Sequence, residues 1–339
     1  MAEWWFMEPD AFHAFIRELG ERFMLYAPAR RDGIVTFTFV ENHEDVELSK
    51  RPFTSPKAAF LPQTEVLLKF SLRGERVHLS PAQRPESPIA VVGIRPCEAG
   101  ALKLLDPVFS SPPEDVHYTL RRENALLVGF ACTSPERWCF CTSLGSSPFD
   151  EDGLDVLLVE VSGGYCALAV TERGRRALEV VRDMLRKADE ALLGEIEERR
   201  RQAERAMKTL DVERFIARLE DMGDDPIWEE IAARCIGCGI CTYLCPTCYC
   251  FDIQDEAGLT SGRRVRVWDS CMYPEYTLEA SGHNPRPKRV HRVKNRIYHK
   301  FRWYVDLFGL VGCVGCGRCA EHCPVNVDIK EIISEVVRR

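Results

Sequence analysis

A chain of 339 residues, 45% hydrophobic and 29% charged, is long enough for two domains with separate cores and has the profile of a soluble globular protein. Its net charge of −7 weighs against a dedicated nucleic-acid binder. The acidic start MAEWWFMEPDAFHAF lacks the pattern of a secretory signal, and no run reaches the ~18 apolar residues of a membrane span, so a cytoplasmic location is expected.

Glu8 to Arg22 has helical spacing, with Phe12, Phe15, Ile16, Leu19 and Phe23 on one side. Short β-like runs follow at Ile34–Val40, Val66–Ser71, Ile89–Ile94, Ala125–Phe130, Val156–Val161 and Tyr165–Val170, separated by turn-rich pieces. Arg173 to Lys187 reads as a helix with Leu178, Val181 and Leu185 at core spacing. Leu192 to Met222 is strongly charged and reads as a solvated helical connector. Asp225-Pro226 then starts a helix from Ile227 to Ala233. The expected class is α+β: a mixed α/β domain over 1–187, a charged helical connector over 188–225, and a mostly α-helical dicluster domain over 226–339.

Sixteen cysteines in a reducing compartment point to thiolate ligands before disulfides. Cys235-x2-Cys238-x2-Cys241-x3-Cys245-Pro246 and Cys313-x2-Cys316-x2-Cys319-x3-Cys323-Pro324 each form a bacterial ferredoxin run. In such a run three thiolates hold one cubane and the fourth reaches the other cluster. The expected ligand sets are therefore Cys235, Cys238, Cys241 and Cys323 for one [4Fe–4S] cluster, and Cys313, Cys316, Cys319 and Cys245 for a second. Glycines 237, 239, 315 and 317 suit close backbone approach to a cluster. A pair of zinc sites is the alternative, although zinc motifs show two separated pairs of ligands.

The segment between the runs is not loop-like. Val290, Val293, Ile297, Phe301 and Tyr304 recur at helical spacing, so one long helix is expected to enter the second run. Arg286, Lys288, Arg289, Arg292, Lys294, Arg296, Lys300 and Arg302 read as its basic outer face. That face is open to three readings: solvated charge, a docking face for an acidic partner, or nucleic acid.

Four more cysteines, Cys97 in GIRPCEAG and Cys132, Cys139 and Cys141 in ACTSPERWCFCTS, directly follow two predicted strands. Adjacent strands would bring them together at the C-terminal sheet edge, where they could hold a third [4Fe–4S] cluster, a zinc ion or nothing. Glu98, beside Cys97, is either a solvated neighbour or a participant in small-substrate reduction. Cys248, Cys250 and Cys271 lack an obvious fourth ligand and read as packing beside the clusters or a further metal site. Cys166 reads as an ordinary buried thiol.

The combination of LYAP, RPCEAGALKLLD, ACTSPERWCFCTS, CIGCGICTYLCPTCYC, RVWDSC, SGHNPRP and CVGCGRCAEHCP resembles one family over nearly the whole chain. Its members are the ferredoxin-like subunit of anaerobic sulfite reductase and the β subunit of cytoplasmic sulfhydrogenases, which are nickel–iron hydrogenases. The helical dicluster part is similar to the ferredoxin domains of succinate dehydrogenase and heterodisulfide reductase subunits. The resemblance implies an iron–sulfur electron-transfer subunit without a catalytic centre. It also implies a flavoprotein partner carrying FAD and a [2Fe–2S] cluster and fed by NAD(P)H, and a separate catalytic subunit. The N-terminal cysteines occupy the family's own positions, which favours a third cluster. No Gly-rich dinucleotide fingerprint is present, which leaves NAD(P) and flavin to a partner. Two rival classes are a self-contained iron–sulfur reductase working at the N-terminal site, and a redox-sensing binding module.

Overall fold

The computed structural model describes residues 3–74, 76–81 and 87–339. Twelve strands lie among the described residues: β1 (Trp4–Met7), β2 (Met24–Arg31), β3 (Ile34–Val40), β4 (Thr64–Arg73), β5 (Arg76–Pro81), β6 (Ile89–Ile94), β7 (Ala125–Phe130), β8 (Val156–Val161), β9 (Gly164–Ala169), β10 (Arg186–Lys187), β11 (Phe251–Ala257) and β12 (Ser261–Trp268). Eight form one mixed sheet in the order β10-β1-β9-β8-β7-β6-β2-β3. Its centre, β2-β6-β7-β8, is parallel. Parallel strands are covered on both faces and so read as continuous apolar runs. IAVVGI and ALLVGF fit that rule, and both strands are buried along their whole length.

The helix Pro9–Arg22 covers one face of this sheet through Phe12, Phe15, Ile16 and Leu19. The helix Pro96–Phe109 covers the other through Leu102 and Leu105. The expected strands and the first helix are thus present. The expected helix over 173–187 is shorter: it ends at Glu179, and Arg186–Lys187 instead pair with β1. A strand pair at the sheet edge satisfies backbone groups that a further helical turn would have left without partners.

The remaining strands form a second sheet, β11-β12-β4-β5. Here the expected domain division gives way. β4 lies in the N-terminal half, whereas β11 and β12 form a hairpin between the two cysteine runs. Thr64–Ser71 pair with Ser261–Val267 in antiparallel register. The expected connector is also divided between the two halves. Its first helix, Glu190–Arg205, buries Leu192, Ile196 and Ala203 against the large sheet. Its second, Val212–Arg218, packs Phe215 with Trp228, Ile297, Phe301 and Ile333 in the core of the cysteine-run region.

Arg289–Tyr298 is α-helical, His299–Trp303 forms a π-turn, and Tyr304–Phe308 continues as α-helix into the second run. Val293, Ile297, Phe301 and Tyr304 are buried, as their spacing predicts.

Candidate metal centres

Each run closes on itself in the same way. Gly237, Gly239, Gly315 and Gly317 all take positive φ between 64° and 76°, a region that costs a residue with a Cβ. The amide of Gly237 donates to Cys235 Sγ at 3.4 Å and that of Gly315 to Cys313 Sγ at 3.5 Å. These glycines also permit close packing. A Cβ on Gly317 would meet the Trp138 carbonyl carbon at 2.7 Å, and one on Gly315 the Cys141 nitrogen at 2.6 Å.

Two cavities lie between the runs. Cys235, Cys238, Cys241 and Cys323 line one, together with Met272, Val293 and Ile297. Cys313, Cys316, Cys319 and Cys245 line the other, together with Phe140, Lys300 and Ile329. Each cavity thus receives three cysteines from one run and the last cysteine of the other. Cys319 and Arg296 line both. The largest groove, between Ile227–Arg234 and Ile329–Arg338, contains no cysteine. Among the described residues no three Cys, His, Asp or Glu side chains gather tightly enough for a single metal ion; the thiols surround wider spaces.

The basic face expected on the helix before the second run is not an outer face at several of its positions. Arg292, Arg296 and Lys300, four residues apart, are 7%, 7% and 2% exposed. Arg292 donates to the carbonyls of Met272, Arg286 and Pro287. Lys300 donates to Thr247 Oγ1 at 2.7 Å and to the Gly312 carbonyl at 3.0 Å. Lys57, also buried, donates to the carbonyls of Cys245 and Cys248 and lies over the Trp268 ring. Lys288 and Arg289 remain exposed. The spacing carried a legible signal: the cation row 292-296-300 adjoins the apolar row 293-297-301 rather than opposing it.

These charges act on the thiols. Cys245 is held well below the ordinary thiol range by a hydrogen bond from Cys248, with Lys300 and Thr247 assisting, while Cys248 is pushed up. Burial pushes Cys313 up to about 11 and Cys319 to about 12. Crowded buried thiols of this kind ionise together only when cationic charge compensates them.

The N-terminal cysteines converge as the strand order predicts, since β6 and β7 are parallel neighbours. Cys97 opens the helix after β6 and packs with Cys139, Cys141 and Met207. Cys132 follows β7 and is close enough to add charge repulsion to Cys139 and Cys141. This group abuts the second run. Phe140 N donates to the Gly315 carbonyl at 2.9 Å, the Cys139 thiol donates to the Cys316 carbonyl at 3.6 Å, and Phe140 enters the core of the cysteine-run region.

Three arginines surround the group. Arg51 Nη1 lies 3.7 Å from Cys139 Sγ and donates to the Cys316 carbonyl. Arg95 donates to the carbonyl of Ala131 at 2.8 Å. Arg318, fully buried, pairs at 2.5 Å with Glu98 and donates to the carbonyls of Pro52, Phe53 and Thr54. Glu98 is therefore not a solvated neighbour; its other oxygen accepts from Arg95 N and caps the helix. Sequence reasoning missed Arg318, although comparing the two runs exposes it: GIC in the first becomes GRC in the second.

Among the remaining cysteines, Cys271 and Tyr276 hydrogen-bond to Cys250 and lower it to about 6. Cys248 is buried against Cys245. Cys166 is buried in β9 within the core, as expected.

The donor sets suit iron–sulfur clusters: thiolates alone, backbone amides aimed at sulfur, and buried guanidinium nitrogens (Arg296 Nε and Nη2, Arg95 Nε, Arg318 Nη1) that no protein atom satisfies. These features define an iron–sulfur protein, and the 4Fe-4S dicluster domain family matches residues 234–327, which contain both runs. The chain is 31% identical over 335 residues to sulfhydrogenase 2 subunit beta of Pyrococcus furiosus, with 97% of each chain covered. It belongs to the sulfhydrogenase β-subunit family.

Proposed function

We propose that the chain is the electron-transfer subunit of a multisubunit oxidoreductase, carrying current between an NAD(P)H-linked flavoprotein and a catalytic subunit. Cys235, Cys238, Cys241 and Cys323 hold one [4Fe–4S] cluster, and Cys313, Cys316, Cys319 and Cys245 a second. Cys97, Cys132, Cys139 and Cys141 hold a third. Bound clusters of this type accept and release single electrons. The observation that carries the reading is the crossed lining of the two cavities, three cysteines from one run and one from the other in each.

The protein's own part is positional. Apolar side chains, Val293, Ile297, Phe140 and Ile329 among them, wall the cavities against water, and buried cations offset the thiolate charge. The cysteine groups adjoin in series: Cys319 borders both cavities, and the Cys139–Cys316 contact joins the second to the N-terminal group. A contiguous series suits relay between two docking partners. The partners follow from the family: a reductase subunit with FAD and [2Fe–2S], and a catalytic subunit of hydrogenase or sulfite reductase type. Among the described residues no helix is long and apolar enough to cross a membrane, and the proposed setting is the cytoplasm.

Iron and acid-labile sulfide analysis of the anaerobically purified chain, with EPR during reductive titration, tests the assignment. About twelve irons and three interacting signals are expected. About eight irons would remove the N-terminal cluster, and fewer would remove the crossed assignment.

A further inference from the structure

Arg296 lines both cavities between the runs. It is almost completely buried, yet its Nε and Nη2 have no hydrogen-bond partner. The neighbouring cations differ. Arg292, Lys300 and Lys57 are satisfied by carbonyls or a hydroxyl, and Arg318 has Glu98. A guanidinium stays charged under all ordinary conditions. Burying that charge unpaired costs several kcal/mol, so a compensating anion belongs within its reach. Cys241 and Cys319 are the nearest sources of negative charge, one from each run.

We propose that Arg296 is a cation shared by the two cluster sites: its unpartnered N–H groups donate to anionic sulfur in both cavities, and its charge raises both reduction potentials. Reduction adds negative charge to a site, and a fixed cation in a low-dielectric surrounding favours the more negative state. Lys300 provides a contrast on the same helix, because it lines only the cavity of Cys313, Cys316, Cys319 and Cys245. Arg296 is therefore a positioning residue whose removal affects two potentials, whereas removal of Lys300 affects one.

The proposal rests on the two-cluster reading and fails separately from it. The test is potentiometric EPR on the anaerobic, iron-loaded chain, comparing wild type with Arg296→Gln, Arg296→Lys and Lys300→Gln. Arg296→Gln is expected to move both midpoints negative, each by at least the equivalent of a tenfold change in equilibrium constant, about 59 mV for one electron. Arg296→Lys keeps the charge and gives a smaller shift; a Lys variant indistinguishable from Gln would overturn charge as the cause. Lys300→Gln moves one midpoint. Wild-type iron content in Arg296→Gln with either midpoint unmoved would overturn the shared role, while fewer than about eight irons in wild type would sink the underlying reading instead. Should Arg296→Gln fail to take up iron, pulsed EPR of the wild-type chain grown on guanidino-15N arginine decides. Coupling to both reduced signals is expected, and coupling to one or neither overturns the proposal.

Discussion

Arg318 and Glu98 show what a single residue does here. One sits in the tight loop of the second run and the other beside Cys97, and both side chains are fully buried. The pair therefore locks the second run to the N-terminal cysteine group. Separating a buried pair by truncating one partner costs ~3–5 kcal/mol, because the other charge stays buried. Arg318→Met is expected to lower the stability of the anaerobic holo chain by about that amount, read as a fall in the urea midpoint for loss of cluster absorbance. Combining it with Glu98→Gln, which keeps an acceptor for Arg95 N, is expected to restore at least half. A double variant no more stable than Arg318→Met would show that the arginine acts through something other than this charge. Neither side chain is conspicuous in sequence. Glu98 is an acid near a helix start, and Arg318 is one arginine among many. What they do depends on two loops 220 residues apart meeting, which no local pattern encodes.

Elements built from local rules were the legible ones. β6, β7 and β8 have the residue bounds that their apolar runs predict, and the crossed cavity lining follows from the C-x2-C-x2-C-x3-C-P spacing. Elements made by long-range pairing were not legible, such as the β11–β12 hairpin. Its strands are mostly exposed and charged, and their partner strand lies some 190 residues upstream. The docking of the Trp138–Cys141 segment on the second run belongs to the same class, and it rests on two glycines. A methyl on Gly315 would lie 2.6 Å from the Cys141 nitrogen, and the residue has φ of +64°. Gly315→Ala is expected to push the segment away and to deplete iron first from the N-terminal cysteines, leaving about eight irons per chain. Metal analysis with EPR measures this. Retention of about twelve would show that the segment yields without losing its ligand geometry.

At the scale of the whole molecule, the question is whether residues 1–225 and 226–339 are two bodies or one. Charge, composition and the cysteine runs all argue for two. The tertiary structure argues for one. β4 hydrogen-bonds along most of its length to β12. Arg266 of β12, buried, pairs with Glu65 and Asp115 of the N-terminal half. Lys57 holds the carbonyls of Cys245 and Cys248, and Phe140 fills the core of the cysteine-run region. Severing the halves would leave at least two buried ion pairs broken, at ~3–5 kcal/mol each. Such losses are comparable with the ~5–15 kcal/mol that stabilises a typical domain, before the lost sheet pairing is counted. Residues 226–339 expressed alone would also lack the Val212–Arg218 helix that Ile333 and Val336 pack beside. The expected outcome is that neither fragment is a stable monomer, that 226–339 alone holds well under eight irons, and that the two co-expressed fragments purify as one species with the full complement. Size-exclusion chromatography with iron analysis makes the comparison. A monomeric 226–339 carrying about eight irons would mean that the shared sheet and the buried pairs are a contact between independent domains, and that the cluster-bearing half folds on its own core alone.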